Sequence, residues 1–86
     1  MSWIIFYTRS AESDLDKLDK TARKRIIAKV EWIAEHFDDV VPLPLHGPLR
    51  GLFKLAVGDW RIIYDFENAQ RQIVIHHIGH RSKVYE

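Results

Sequence analysis

The stretch Leu52-Phe53-Lys54-Leu55-Ala56-Val57-Gly58-Asp59-Trp60-Arg61-Ile62-Ile63-Tyr64-Asp65-Phe66 decides the fold. Its residues alternate with period two on both sides of Gly58-Asp59, the period with which strand side chains change faces. Glycine as the first residue of a two-residue turn suits a type II′ hairpin, because it enters positive φ without a Cβ clash. A tight hairpin pairs Val57 with Trp60, Ala56 with Arg61 and Lys54 with Ile63. Phe53, Leu55 and Val57 then share a face with Trp60, Ile62, Tyr64 and Phe66, and that face must be covered. The other face carries Lys54 and Ala56 beside Arg61, Ile63 and Asp65. Lys54 and Arg61 become diagonal neighbours there.

Downstream of the hairpin, Glu67-Asn68-Ala69-Gln70 is a polar turn, and residues 71–78 form a third strand that Gly79 ends. A two- or four-residue loop puts His76 opposite Arg61, and a three-residue loop puts His77 there. Arg81 leaves this strand near the start of the one before it. Upstream, residues 38–51 hold all three prolines, which forbid helix and disfavour a central strand, so this segment reads as a crossing loop. Before it, Asp19 starts a helix reaching about Phe37. Its stripe Ala22, Ile26, Val30, Ile33, Phe37 has helical spacing and is widened by Ile27, Trp32 and Ala34. Thr8 or Ser10 caps a shorter helix with Ala11, Leu15 and Leu18 on one side. Residues 1–7 read as a strand whose apolar residues on both faces point to burial in a sheet, which it joins at an edge or in the centre. The predicted class is α+β, in the order β-α-α-β-β-β: an antiparallel sheet with a two-helix hairpin packed on one face.

Composition fits one small domain over residues 1–86. With 86 residues, 47% of them apolar and 12% aromatic, the chain builds a core without staples. It has no cysteine, which excludes disulfides, thiolate metal sites and cysteine nucleophiles. Residues 3–7 are too short for a signal peptide, and no stretch approaches the roughly 20 apolar residues of a membrane span. A soluble cytoplasmic protein without membrane contact is expected. The net charge of +1 conceals an asymmetry. Residues 1–45 hold seven Lys/Arg against eight Asp/Glu, whereas residues 46–86 hold six against four and four of the five histidines. A protein that grips a few phosphates needs such a local cluster, not a high total charge.

The run from Leu49-Arg50-Gly51 through Val57-Gly58-Asp59-Trp60-Arg61-Ile62-Ile63-Tyr64, with Ile78-Gly79-His80-Arg81-Ser82-Lys83-Val84-Tyr85, resembles the signature of the RelE/ParE superfamily of bacterial toxins. The resemblance extends to the opening strand, the helical hairpin with Leu15-Asp16-Lys17-Leu18 and the proline-rich loop, and it favours the RelE branch. It implies a fold similar to compact microbial ribonucleases and an mRNA interferase: a metal- and cofactor-independent endoribonuclease that cuts mRNA on the ribosome. Lys54 matches a basic residue implicated in activating the nucleophile, and Arg61 the arginine that holds the scissile phosphate. Arg81 matches a second arginine, credited with phosphate stabilisation or leaving-group protonation. Tyr85 matches a tyrosine that orients or stacks the nucleotide. His80 occupies a position suited to a general acid or base. Some relatives carry a second lysine where this chain has Ala56. The implied partners are a cognate antitoxin in a heteromeric complex, the ribosome and mRNA. The chain ends directly after Tyr85, so inhibition is expected from the antitoxin, with no built-in lid.

The alternatives are a ParE-like gyrase inhibitor and a catalytically decayed antitoxin-binding module. Structural readings compete residue by residue as well. Arg61 can pair with Asp65 or Glu67, Arg81 can pair with Glu86, and Tyr85 can simply pack. Trp3, Trp32 and Trp60 read as core. Arg23-Lys24-Arg25 with Lys29 reads as a wet helix face or a grip on ribosomal RNA. His76, His77 and His80 do not make a zinc site, since adjacent strand residues point to opposite faces and no cysteine or acidic cluster completes one.

Overall fold

In a computed structural model that describes residues 2–85, the hairpin takes the register its pattern predicts. β3 (Phe53–Val57) and β4 (Trp60–Glu67) pair Val57 with Trp60, Ala56 with Arg61 and Lys54 with Ile63. Gly58 has φ +59 and Asp59 is not in the positive-φ region, the type II′ pattern. β1 (Ile4–Tyr7), α1 (Arg9–Asp16), α2 (Lys20–His36) and β2 (Leu43–Pro44) precede the hairpin, and β5 (Gln72–His80) follows it. The sheet order is β1-β5-β4-β3-β2.

Both helices begin where the capping residues demand. Thr8 accepts a hydrogen bond from the Ala11 amide at the start of α1, and Asp19 accepts one from the Ala22 amide at the start of α2. Arg23 donates to the carbonyls of Leu15 and Leu18, tying the end of α1 to α2. The stripe Ile26, Val30, Ile33, Phe37 then packs on Ile62, Tyr64, Ile73, Ile75 and Ile78 in one buried cluster. Trp3 joins it edge-on against Phe37 at 4.7 Å. Arg71 lies over the Trp3 ring and pairs with Asp38 at 2.7 Å, which holds that carboxyl below its ordinary range.

Four expectations need correction. β1 takes the edge, one of the two places open to it, but runs parallel to β5, and only Ile5 and Tyr7 pack on the core; Ile4 and Phe6 are 55% and 46% exposed. An edge strand covered by helices on one side has nothing to bury its second face. Ser2 and Trp3 precede the strand, and Met1 lies outside the described residues. The proline-rich segment contains a two-residue edge strand, where Pro44 is tolerated at the sheet margin. Trp32 is 45% exposed, its ring stacked on His36 and approached by Lys29, outside the core. Finally, β5 continues through Gly79 to His80.

β5 also contains a bulge. Glu67 pairs with Gln72, and that register runs to Tyr64 with Ile75, but Ile63 pairs with His77, leaving His76 as the extra residue. The bulge flips every later side chain relative to the unbroken register. Ile78 thereby joins Ile73 and Ile75 in the core, His77 moves to the uncovered face, and Gly79 comes opposite Arg61.

Candidate functional site

The face of the sheet away from the helices carries the candidate site. Across β3, β4 and β5, Lys54, Ile63 and His77 form one transverse row, and Ala56, Arg61 and Gly79 form the next. Ile63 is fully buried although it faces away from the main core. Gly79 matters because the backbone is closely approached: a Cβ there would meet Val84 at 3.2 Å. The tail can therefore fold back over β5, with the amides of Lys83 and Val84 bonded to the His80 carbonyl.

This return places Tyr85 in a cleft of about 730 Å³ with Lys54 and His77. Lys83 and His46 also line it, and Leu45, Pro48 and Leu49 add apolar wall from the proline-rich segment. Asp14 lines it as well, but its carboxylate already accepts from the Ile78 amide at 2.9 Å, capping β5 beyond the end of β1. The volume suits a ligand of nucleotide size.

Of the residues singled out from sequence, Lys54 and Tyr85 meet in the cleft. Arg61 and Arg81 lie at its hairpin-turn end and are latched away from it. Arg61 Nη1 donates to the carbonyls of Gly58 and Trp60, both at 2.9 Å. Arg81 pairs through Nε with Asp59 at 3.7 Å, while its amide donates to the Asp59 carbonyl. Asp65 and Glu67 are not the partners of Arg61: Asp65 faces His76, and Glu67 accepts from the amides of Ala69 and Gln70. Glu86 lies outside the described residues.

His80 departs from expectation. It pairs with Trp60 on the helix-facing row, its ring edge-on to the indole at 5.6 Å, on the opposite side of the sheet from Lys54. Its Nδ1 accepts from the Ser82 amide; since an amide only donates, the neutral ring carries its proton on Nε2. His80 thus braces the turn that carries Arg81 and Tyr85. Neither histidine weighed for the place opposite Arg61 occupies it; Gly79 does. Of the two histidines weighed from sequence, His77 lines the cleft; His46, Lys83 and Asp14 complete it without having been assigned to it. The apolar spacing Ile73, Ile75, Ile78 was the available sign of the bulge, two residues and then three.

The chain matches the family described as the ParE toxin of type II toxin–antitoxin system, parDE, over residues 5–85. It is similar to Toxin RelG of Mycobacterium tuberculosis (strain ATCC 25618 / H37Rv), 31% identical over 91 residues, covering 99% of this chain and 98% of that protein. Its fold matches a chain of the toxin–antitoxin complex RelBE2 from M. tuberculosis with a TM-score of 0.78 at 23% identity, covering 94% of this chain and all (100%) of that one. A chain of the archaeal RelE–RelB complex from Pyrococcus horikoshii OT3 matches with a TM-score of 0.75 at 21% identity, covering 98% and 100%.

Proposed function

Because this chain belongs to the ParE toxin family of type II toxin–antitoxin systems, within the RelE/ParE superfamily, we propose that it is an mRNA endoribonuclease acting on the ribosome and halting translation. The observation that carries this reading is a nucleotide-sized cleft lined by Lys54, His77, Lys83 and Tyr85, with Arg61 and Arg81 at its end. Cations and imidazole without a free carboxylate pair suit an anionic phosphorane. RNA brings its own nucleophile, the 2′-hydroxyl, so the protein has only to align it and stabilise charge on the phosphoryl oxygens.

The two arginines are suited to that second task by their planar, bidentate donors. Their present partners are backbone carbonyls and one exposed carboxylate, which hold a guanidinium less firmly than a phosphorane dianion does. Substrate therefore draws them off the turn into the cleft. Tyr85 offers its ring to a base, and His80 keeps the tail folded. An antitoxin is the regulatory partner, its acidic groups competing for the same cations, and its binding weakens with salt. Of the solved relatives named above, one comes from a toxin–antitoxin complex and the other from a RelE–RelB complex.

The test is a primer-extension map of cellular mRNAs after brief induction without antitoxin. New 5′ ends inside translated codons are expected. Unchanged mRNA ends together with gyrase-linked DNA breaks would overturn the reading in favour of gyrase inhibition.

A further inference from the structure

In-line displacement at phosphorus brings the attacking 2′-oxygen in on one side and sends the leaving 5′-oxygen out on the other. Two proton-transfer groups must therefore face each other across the phosphate. The outer sheet face holds such a pair. Lys54 on β3 and His77 on β5 end the same transverse row, with Ile63 of β4 between them. Two inter-strand steps set their Cα atoms roughly 10 Å apart. Ile63 itself is fully buried beneath the cleft lining, and both end residues of the row line the same cleft. Arg61 rises from the central strand one row further on, about 7 Å along β4. A phosphate in the cleft between β3 and β5 has Lys54 to one side and His77 to the other, and Arg61 reaches its non-bridging oxygens only on leaving the carbonyls of Gly58 and Trp60.

We infer that His77 is the proton acceptor in RNA cleavage and that Lys54, at the other end of the same row, is the proton donor. The inference rests on the nuclease reading above. Its direction follows from the groups: an ammonium has protons to give and no lone pair, whereas neutral imidazole has one nitrogen free to accept. This reverses the role that resemblance implies for Lys54, and it accounts for Ala56 in place of a second lysine. A ring nitrogen of His77 takes the 2′-hydroxyl proton as the O2′–P bond forms. The P–O5′ bond breaks, and O5′ takes its proton from Lys54. The products are a 2′,3′-cyclic phosphate and a 5′-hydroxyl; water then returns His77 and Lys54 to their starting forms. The other strand histidines are otherwise engaged. His76 faces Asp65 at 3.4 Å in the bulge, and His80 lies on the helix-facing row.

The experiment uses the purified toxin and ribosomes programmed with a short mRNA. Its scissile linkage carries either the natural 5′-oxygen or a bridging 5′-sulfur, which departs as a thiolate without a proton. His77→Ala is expected to cut both substrates about 10²-fold more slowly, with His77→Gln giving the same loss in a side chain that stays polar. Lys54→Ala is expected to be comparably slow on oxygen and restored on sulfur. His76→Gln is expected to stay within about twofold of wild type on both, well outside a general-base loss. A His77 variant that cuts the oxygen substrate at full speed, or one that sulfur restores, overturns the inference while the wild type remains a nuclease. A wild type that cuts no RNA, with or without ribosomes, overturns the nuclease reading itself and the inference with it.

Discussion

The two faces of the sheet are built from the same three strands with the same alternation, yet they are organised by different physics. On the helix-facing side Ile62, Tyr64, Ile73, Ile75 and Ile78 are buried in a single cluster with α2, where dispersion and apolar burial do the work. On the other side Lys54 and His77 stand exposed at a cleft, and Arg61 and Arg81 bond to the hairpin turn. The contrast teaches that the apolar core and the candidate site are divided by face. Ile63 is the exception: it is fully buried on the cleft side, in the row between Lys54 and His77.

The division can be broken or sharpened by substitution. Ile62→Ala should cost about 2–5 kcal/mol of unfolding free energy, because it removes a fully buried side chain and leaves a cavity. Chemical denaturation measures this, and a loss under 1 kcal/mol would deny that the helix-facing side carries the stability. Arg61→Ala and Arg81→Ala should each lower RNA cleavage by about 10²–10³, equivalent to about 2.7–4 kcal/mol in the transition state. Their denaturation midpoints should stay near wild type; midpoints that fall as far as that of Ile62→Ala would show the arginines to be structural.

A smaller effect tests the buried face by pH. Burial pushes the Tyr64 hydroxyl up to about 12 from 10.0. A raised value means that the fold favours the protonated form. This contribution is therefore complete below about pH 10 and is lost as pH rises through about 12, amounting to about 2–3 kcal/mol. Urea titrations at pH 9 and above pH 11 should show the decline, and Tyr64→Phe should reduce it. Tyr7, raised by burial and by Glu31, keeps a residual slope in that variant. An undiminished decline in Tyr64→Phe would remove Tyr64 as its source.

Much of this was legible in the chain. The Gly58-Asp59 turn determined the β3–β4 register because a two-residue loop leaves no slack, and that register put Lys54 and Arg61 on one face. The α2 stripe and the Asp19 cap were equally local. Trp32 misled because its spacing lies at the margin of the stripe, where a ring can turn outward to Lys29 and His36. The bulge was hidden for a different reason. Its cause is the competition of Ile78 and His77 for the core, which depends on where α2 sits. The neighbours of Arg61 across β5 could not be assigned while the bulge was unknown.

The order of the longer elements, the hairpin register, the covered face and the cationic residues opposite it were all legible in the chain, because they follow from short-range periodicity and turn chemistry; the two-residue strand Leu43–Pro44 was not. Tertiary structure alone decided the parallel pairing of β1 at the edge, the face taken by His77 and the latching of Arg61 and Arg81 onto the turn. It also decided the return of Tyr85 over Gly79 into the cleft. These depend on contacts between residues far apart in the chain, where one extra residue in a strand reverses every side chain beyond it.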